Sequence, residues 1–360
     1  MPFYNRERER EELKTILSGE PNFVYFVCGP INSGKTALLN RVFEDLPDDY
    51  RIFYINFRGF EGGYTKFTRA FFELGDDSLW AKLRKNLPVV AAAVEYVERV
   101  ARKINTSIEL PGEVIAKLQI GGENPEKIDL FHYLERLMKS LVDKGKRPVL
   151  VLDEIQVLKD ELNAVGKPLL ARLFNFAVRM TKETHLCHVL CATSDCLFIE
   201  DIYSSARLEG RAKYILVDDL DKENAFRVYE EFGFEDKMLV WDYIGGKLGD
   251  MVSLSEDKRR GLGEKEALEE MLRRQIKRLR WIRLRMLMDR PDGEEIWNFL
   301  KNFKEKEKLD FGKEEDFDSL FFWVDQNVLF YNPLDGTVRP QSRLLWRAIR
   351  NLGKQQDEIV

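Results

Sequence analysis

Cysteine is scarce in these 360 residues, and the four present, Cys28, Cys187, Cys191 and Cys196, form no C-x-x-C pair. That excludes the short-spaced thiol motifs of redox centres and common zinc sites. The chain opens without an apolar signal segment, so a reducing cytoplasm is the expected compartment. It also lacks any run of about 18 uncharged apolar residues, and no membrane-spanning helix is expected. A surplus of positive charge is missing as well: 57 Lys and Arg stand against 62 Asp and Glu, for a net charge of -5. The chain as a whole is therefore not a polyanion binder by composition, although a local patch can still be basic. No internal repeat or low-complexity tract interrupts it.

What is present is the composition of a globular protein, 44% hydrophobic and 12% aromatic, long enough for two or three domains. Its 33% charged residues exceed the usual ~25%, as heat-adapted proteins and heavily salt-bridged surfaces both do.

The most informative stretch runs from Gly29 through Pro30, Ile31, Asn32, Ser33, Gly34 and Lys35 to Thr36, a Gly-x4-Gly-Lys-Thr pattern. An apolar run, Phe23 to Val27, precedes it, and helical spacing begins at Ala37. Strand, loop and helix in that order are what phosphate binding requires. The loop N–H groups cradle phosphate oxygens, and the helix N-terminus adds its positive end. Lys35 is the candidate for the β- and γ-phosphates and Thr36 for Mg²⁺; the alternative is a plain glycine-rich turn.

A second element follows about 120 residues later. Pro148 to Leu152 is an apolar strand that ends in Asp153 and Glu154, as a central parallel strand does when it delivers carboxylates to its C-terminal edge. Asp153 is the candidate Mg²⁺ partner, and Glu154 the group that orients or deprotonates a water. The strand 185–192 ends in Thr193 and Ser194, candidate sensors of a γ-phosphate. Cys187, His188, Cys191 and Cys196 invite a zinc reading, but Cys187 and Cys191 would lie about 13 Å apart along a strand, too far for one ion. Core cysteines are expected instead.

Between these motifs, Tyr50–Arg58 reads as a strand, and 64–74, 78–86 and 89–103 read as helices. An insertion is expected at about 76–128, with 104–124 as a hairpin or flap. Helices are expected at 129–144, 167–184 and 196–209, and a fifth strand at 213–217. Arg211 just before it is a candidate to reach a phosphate edge or simply to pair with a surface acid. Residues 221–262 read as a helical lid. The helix 264–290 carries Arg273, Arg274, Lys277 and Arg278 opposite an apolar face, a candidate for phosphate backbones or a solvated face paired with Glu269 and Glu270. Helices at 294–303 and 316–324, then strands flanking Pro333–Gly336 and a last helix at 342–351, suggest a winged helix in 263–360.

Taken together these features resemble the archaeal ATPase family of STAND-type, AAA-like P-loop NTPases. The resemblance covers nearly the whole chain. It is carried by Asn5-Arg6-Glu7, the Gly29–Thr36 loop, Asp153-Glu154-Ile155-Gln156, Gly210-Arg211 and the run Arg339-Pro340-Gln341-Ser342-Arg343. It implies an α/β core, residues 1–220, with a parallel sheet of order 5-1-4-3-2 flanked by helices, followed by the lid and the winged helix. It implies ATP and Mg²⁺ as ligands, with Gly29, Pro30, Asn32, Ser33, Gly34, Lys35, Thr36 and Ala37 around the phosphates. Arg6 would lie near the base, and Arg211 would approach the phosphates. One departure is Leu248, where relatives place a proline after a Gly-Gly like Gly245-Gly246.

The function expected is that of an ATP-binding, slowly hydrolysing switch whose ATP and ADP states reposition lid and winged helix. An ATP-modulated DNA-binding protein, using the wing and the basic helix 271–290, is the alternative. A small-molecule kinase is disfavoured by the water-activating Glu154. A protein partner or a homo-oligomer is a further expectation, and no membrane partner is expected.

Overall fold

Five apolar runs form one parallel sheet in the computed structural model, which describes residues 6–57, 130–158, 168–202, 208–311 and 317–357. The expected helices at 64–74, 78–86 and 89–103 and the insertion at 76–128 lie outside the described residues. In chain order the first elements are α1 (Glu7–Ser18), β1 (Val24–Cys28), α2 (Lys35–Glu44), β2 (Tyr50–Asn56), α3 (Leu130–Val142) and β3 (Arg147–Asp153). Then come α4 (Pro168–Val178), continued by a π-helical turn over Arg179–Glu183, β4 (His188–Thr193), α5 (Cys196–Ile202) and β5 (Ala212–Leu216).

The strand order is β2-β3-β4-β1-β5, all neighbours parallel, which is the order 5-1-4-3-2 read from the other edge. Strands buried on both faces explain the near-continuous apolar sequence of β3 and β4. Alternate residues divide between the faces. Phe26, Leu150, Leu152, Val189 and Cys191 pack on one side with Leu134 of α3 and Phe174 of α4. Val27, Val149, Val151 and Leu190 pack on the other with Leu13 and Leu17 of α1 and Leu38 and Val42 of α2. The helix from Glu7, charged at nearly every early position, thus still buries one edge. All four cysteines are buried, and burial pushes the Cys187 thiol up to about 12.

Register decides what meets at the C-terminal edge. Asn56 pairs with Asp153, Asp153 with Ala192, and Cys28 with Thr193. The end of every central strand is therefore aligned with the base of the glycine loop.

After the sheet follow α6 (Lys222–Glu231), α7 (Lys237–Ile244), α8 (Leu248–Arg259) and α9 (Glu264–Asp289). Asp221 and Asp236 cap α6 and α7 through their carboxylates. The helix α8 falls inside the expected lid, 221–262, without bounds of its own in the sequence reading. Of its four buried residues only Met251 and Leu254 are apolar, Ser255 and Asp257 being polar, and it starts beside two glycines, which leaves a weak periodic signal. Ala267, Leu268 and Met271 bring the start of α9 into the same apolar cluster as α6 to α8. Leu279 and Met286 carry its other end into the next cluster, so α9 is a strut between two small cores.

That second core belongs to α10 (Gly293–Phe299), β6 (Leu309–Asp310), α11 (Phe317–Asp325), β7 (Leu329–Asn332), β8 (Thr337–Pro340) and α12 (Arg343–Asp357). The three strands form an antiparallel sheet, β6-β8-β7. Its strand β7 reaches back to α5, and Phe330 enters the core of the parallel sheet. Among the described residues, no helix is long and apolar enough to cross a membrane.

Candidate functional site

The glycine loop joins β1 to α2 under tight steric limits. A Cβ on Gly29 would come within 2.1 Å of Val217 O, so only glycine lets the loop leave the sheet against β5. Gly34, at φ 95, and Asn32, at φ 59, take the left-handed conformation that turns the chain into α2. The first turn of α2 then directs N–H groups that have no intrahelical acceptor toward the loop interior. Lys35 is buried there, and its Nζ donates to Gly29 O and Pro30 O, both at 2.9 Å. Burial lowers its pKa, while Glu154 acts in the opposite direction. Ser33 Oγ is buried without a hydrogen-bond partner.

Asp153 ends β3 directly beneath. Its Oδ2 accepts from Thr36 Oγ1 at 2.9 Å, from Asn56 Nδ2 at 3.3 Å and from the Tyr54 hydroxyl. Burial, then the bond to Asp153, pushes the Tyr54 phenol well above its usual range. Glu154 turns the chain at φ 57, with its N–H on Asp153 Oδ1. Its carboxylate is held by Gln156, whose Nε2 donates to Glu154 Oε2 at 2.5 Å. The same Nε2 reaches Ser194 Oγ at 3.3 Å, and Thr193 Oγ1 donates to Gln156 Oε1 at 2.9 Å. Gln156 therefore ties the acid after β3 to the hydroxyls after β4. Sequence reasoning quoted Gln156 within a motif and gave it no role. Tyr54 and Asn56 were missed because polar residues at a strand end carry no distinctive pattern.

The two arginines named by the resemblance take different places in the fold. Arg211 precedes β5 and lies at the N-terminal edge of the sheet, where its C=O accepts from Val24 N–H. The loop is at the opposite edge, about 16 Å away over a five-residue strand. Because the strands are parallel, a residue before one strand cannot lie beside a loop that follows its neighbour. Within one chain Arg211 is not brought to the loop. Arg6 is buried and braces the loop from outside: its Nη2 donates to Ser33 O at 2.9 Å and to Asp218 O, and its Nη1 pairs with Glu9 at 3.0 Å.

The loop is also covered from above. A Cβ on Gly34 would stand 3.3 Å from Leu248 Cδ1, and one on Gly249 would stand 2.7 Å from Asn32 Cβ. The start of α8 thus lies against the loop, with Leu248 on Gly34. Ile31 N–H donates to Gln341 Oε1 at 2.9 Å, and Gln341 Nε2 donates to Leu329 O at 2.9 Å. Lys247 Nζ donates to the Gln341 C=O at 2.5 Å and lies 3.4 Å from Asp219 Oδ1. Arg339 pairs with Asp218. Asp250 joins this junction, and burial pushes its carboxyl up to about 6. One glutamine after β8 thereby touches the phosphate-type loop, the helical segment and β7.

A family profile described as an ATPase domain predominantly from Archaea matches residues 3–254. A second, for the C-terminal domain of uncharacterized ATP-binding proteins like MJ1010, matches residues 265–352. The chain is 39% identical to the uncharacterized ATP-binding protein MJ0075 of Methanocaldococcus jannaschii, over 98% of each. It is 36% identical to the uncharacterized ATP-binding protein PYRAB09480 of Pyrococcus abyssi, over 97% of this chain and 98% of that one. Among solved structures, the Walker-type ATPase PABY2304 of Pyrococcus abyssi is similar in fold, with a TM-score of 0.60 at 16% identity over 97% of this chain and 96% of that one.

Proposed function

Because this chain belongs to the family of ATPase domains found predominantly in Archaea, we propose that it is an ATP-hydrolysing switch, in which nucleotide state decides whether the C-terminal segment stays docked on the phosphate loop. The observation that supports a switch, beyond ATP binding, is the hydrogen bond from Ile31 N–H to Gln341. A loop N–H suited to phosphate is held by a side chain from the far end of the chain, so phosphate and C-terminal segment compete for it.

The site residues fit a nucleotide with Mg²⁺. Thr36 Oγ1 and Asp153 are hard oxygen donors suited to Mg²⁺, and the unpartnered Ser33 Oγ and the carbonyl-bound Lys35 leave polar capacity inside the loop. When bound, the ion would supply neutralisation of phosphate charge. Lys35 would exchange its two carbonyl partners for phosphate oxygens and offset the charge that develops on them. Glu154, oriented by Gln156, would align the attacking water and accept its proton. Thr193 and Ser194, bound to the same glutamine, would link the γ-phosphate to the position of Glu154. A water-activating acid fits hydrolysis better than transfer to a small-molecule acceptor.

The DNA reading gains no support from the basic helix. Glu270 binds Arg273 and Arg274, Asp257 also holds Arg274, and Arg278 donates to Gln326 O.

Phosphate release and nucleotide binding test the proposal. Lys35→Ala should abolish ATP binding. Glu154→Gln should bind ATP normally while turnover falls by about 10²-fold or more. Full turnover in Glu154→Gln would remove Glu154 from the mechanism.

A further inference from the structure

The outer face of α9 is built for contact. Its inner face buries Met271, Leu279 and Met286. On the opposite side Trp281, Leu284 and Met288, spaced i, i+3 and i+7, are 62%, 56% and 84% exposed. Three large apolar side chains in one row are not what a solvated helix face carries. They are embedded in positive charge: residues 271–288 contain seven Lys and Arg and no acid, in a chain of net charge -5. Several of these cations are engaged within the fold, as described for Arg273, Arg274 and Arg278, and Arg283 pairs with Glu294. Lys277 and Arg285, which flank the apolar row, form no ion pair among the described residues. The result is a convex ridge, apolar along its crest and cationic at its sides. Nucleic-acid phosphates would match the cations but would leave Leu284 and Met288 in water.

The complement lies at the other end of the same helix. Between the starts of α7 and α9 is an open hollow of about 590 Å³; five of its eight lining residues are acids, of which Glu235 and Glu264 pair with Lys258, leaving Asp236, Glu266 and Glu269 against the lining cation Lys265. Leu239 supplies apolar surface inside it, and Met238, next in α7, is 57% exposed. Glu266 of the hollow and Trp281 of the ridge are about 22 Å apart along a straight helix, so the two surfaces of one chain cannot meet.

We propose that the ridge of one copy docks in the acidic hollow of the next, so that the chain associates with itself head to tail. Charge selects this arrangement. Ridge on ridge would bring Lys277 and Arg285 of two copies together, and hollow on hollow would oppose Glu266 and Glu269, whereas ridge in hollow pairs opposite signs. A contact between unlike surfaces leaves one of each free, so growth continues until a ring closes or a filament forms. With a ridge of only about three helical turns, the contact falls at the low end of specific interfaces and should be sensitive to salt.

Sedimentation velocity on the full chain tests this, with two variants at positions outside the buried cores. One carries Trp281→Ser, Leu284→Ser and Met288→Ser; the other carries Glu266→Lys and Glu269→Lys. The unaltered protein should show a mass that rises with concentration beyond two chains at about 0.05 M salt and returns to one chain at about 0.5 M. Each variant alone should remain a single chain, since every contact needs one ridge and one hollow. Mixed in equal amounts, the two should form a pair and nothing larger, because the mixture retains one intact ridge and one intact hollow. Unchanged ATP binding in both variants shows that they are folded. An unaltered protein that stays a single chain at low salt, a dimer that persists in the Glu266/Glu269 variant, or a mixture that does not pair would each overturn the proposal.

Discussion

Two buried lysines lie close to each other above the sheet, and their partners differ in kind. Lys35 donates only to neutral carbonyls, Gly29 O and Pro30 O. Lys247 donates to a carbonyl as well, Gln341 O, but also faces the carboxylate of Asp219. A buried cation without an anionic partner is costly, and an arriving phosphate relieves that cost. One that already has a carboxylate is a strut. The comparison separates a lysine held by neutral carbonyls alone, as the proposed phosphate role requires, from one tied to a carboxylate, although both are buried.

The largest effect should come from breaking the strut. Lys247→Met would leave Asp219 facing apolar surface and release the Gln341 carbonyl, and loss of one partner from a buried pair costs about 3–5 kcal/mol. Lys35→Met, which strands no carboxylate, should leave the melting temperature of the ligand-free protein unchanged or higher. Thermal unfolding of both variants without nucleotide measures the contrast. Equal losses would mean that Lys35 is structural too.

Asp250 sharpens the same contrast by pH. Its carboxyl is raised to about 6 by burial first, with Asp219 adding to the shift and Lys247 opposing it. A folded-state value above the unfolded one means that its stabilising contribution is complete below about pH 4. That contribution is lost as pH rises through about 6. Asp250→Asn should therefore match the unaltered protein near pH 4 and exceed its stability by about 2–3 kcal/mol at pH 8. Denaturant melts at the two pH values give the difference directly. A stability difference that does not grow with pH would place the ionised carboxylate in a favourable site.

The same two lysines mark how far the sequence can be read. The placement of Lys35 was legible because it is local: strand, glycine loop and helix are contiguous, and the steric demands on Gly29 and Gly34 are written in the residues themselves. The positions of Asp153 and Thr193 at strand ends were legible because an apolar run that ends in polar residues marks the edge of a parallel sheet, and the order of the five strands followed from the resemblance. Lys247, Gln341 and Asp250 were not. Their partners are separated by up to 310 residues, as Ile31 and Gln341 are, and a glutamine in a run of arginine and serine has no periodicity to betray a contact. The place of Arg211 was hidden for the converse reason: nearness to a core strand in sequence does not say which end of the sheet that strand begins on. The bounds of helix α8 were hidden because two of its four buried residues, Ser255 and Asp257, are polar and interrupt the apolar period.

Gln341 connects the two regions and should give the smallest effect. In Gln341→Ala the Ile31 N–H loses its side-chain acceptor and Leu329 O its donor, while the bonds made by the Gln341 backbone, N–H to Val328 O and C=O from Lys247 Nζ, persist. The segment stays attached by its backbone, but the loop no longer has to give up a bond when phosphate enters. One neutral hydrogen bond is worth about 1 kcal/mol net, so ATP affinity should rise roughly five-fold. Titration calorimetry of Gln341→Ala and Gln341→Glu with ATP separates the possibilities. The glutamate keeps an acceptor for Ile31 N–H and adds a negative charge beside the phosphate path, so its affinity should fall where that of the alanine variant rises. If both variants bind ATP as the unaltered chain does, Gln341 supports the fold at this junction and does not compete with the nucleotide.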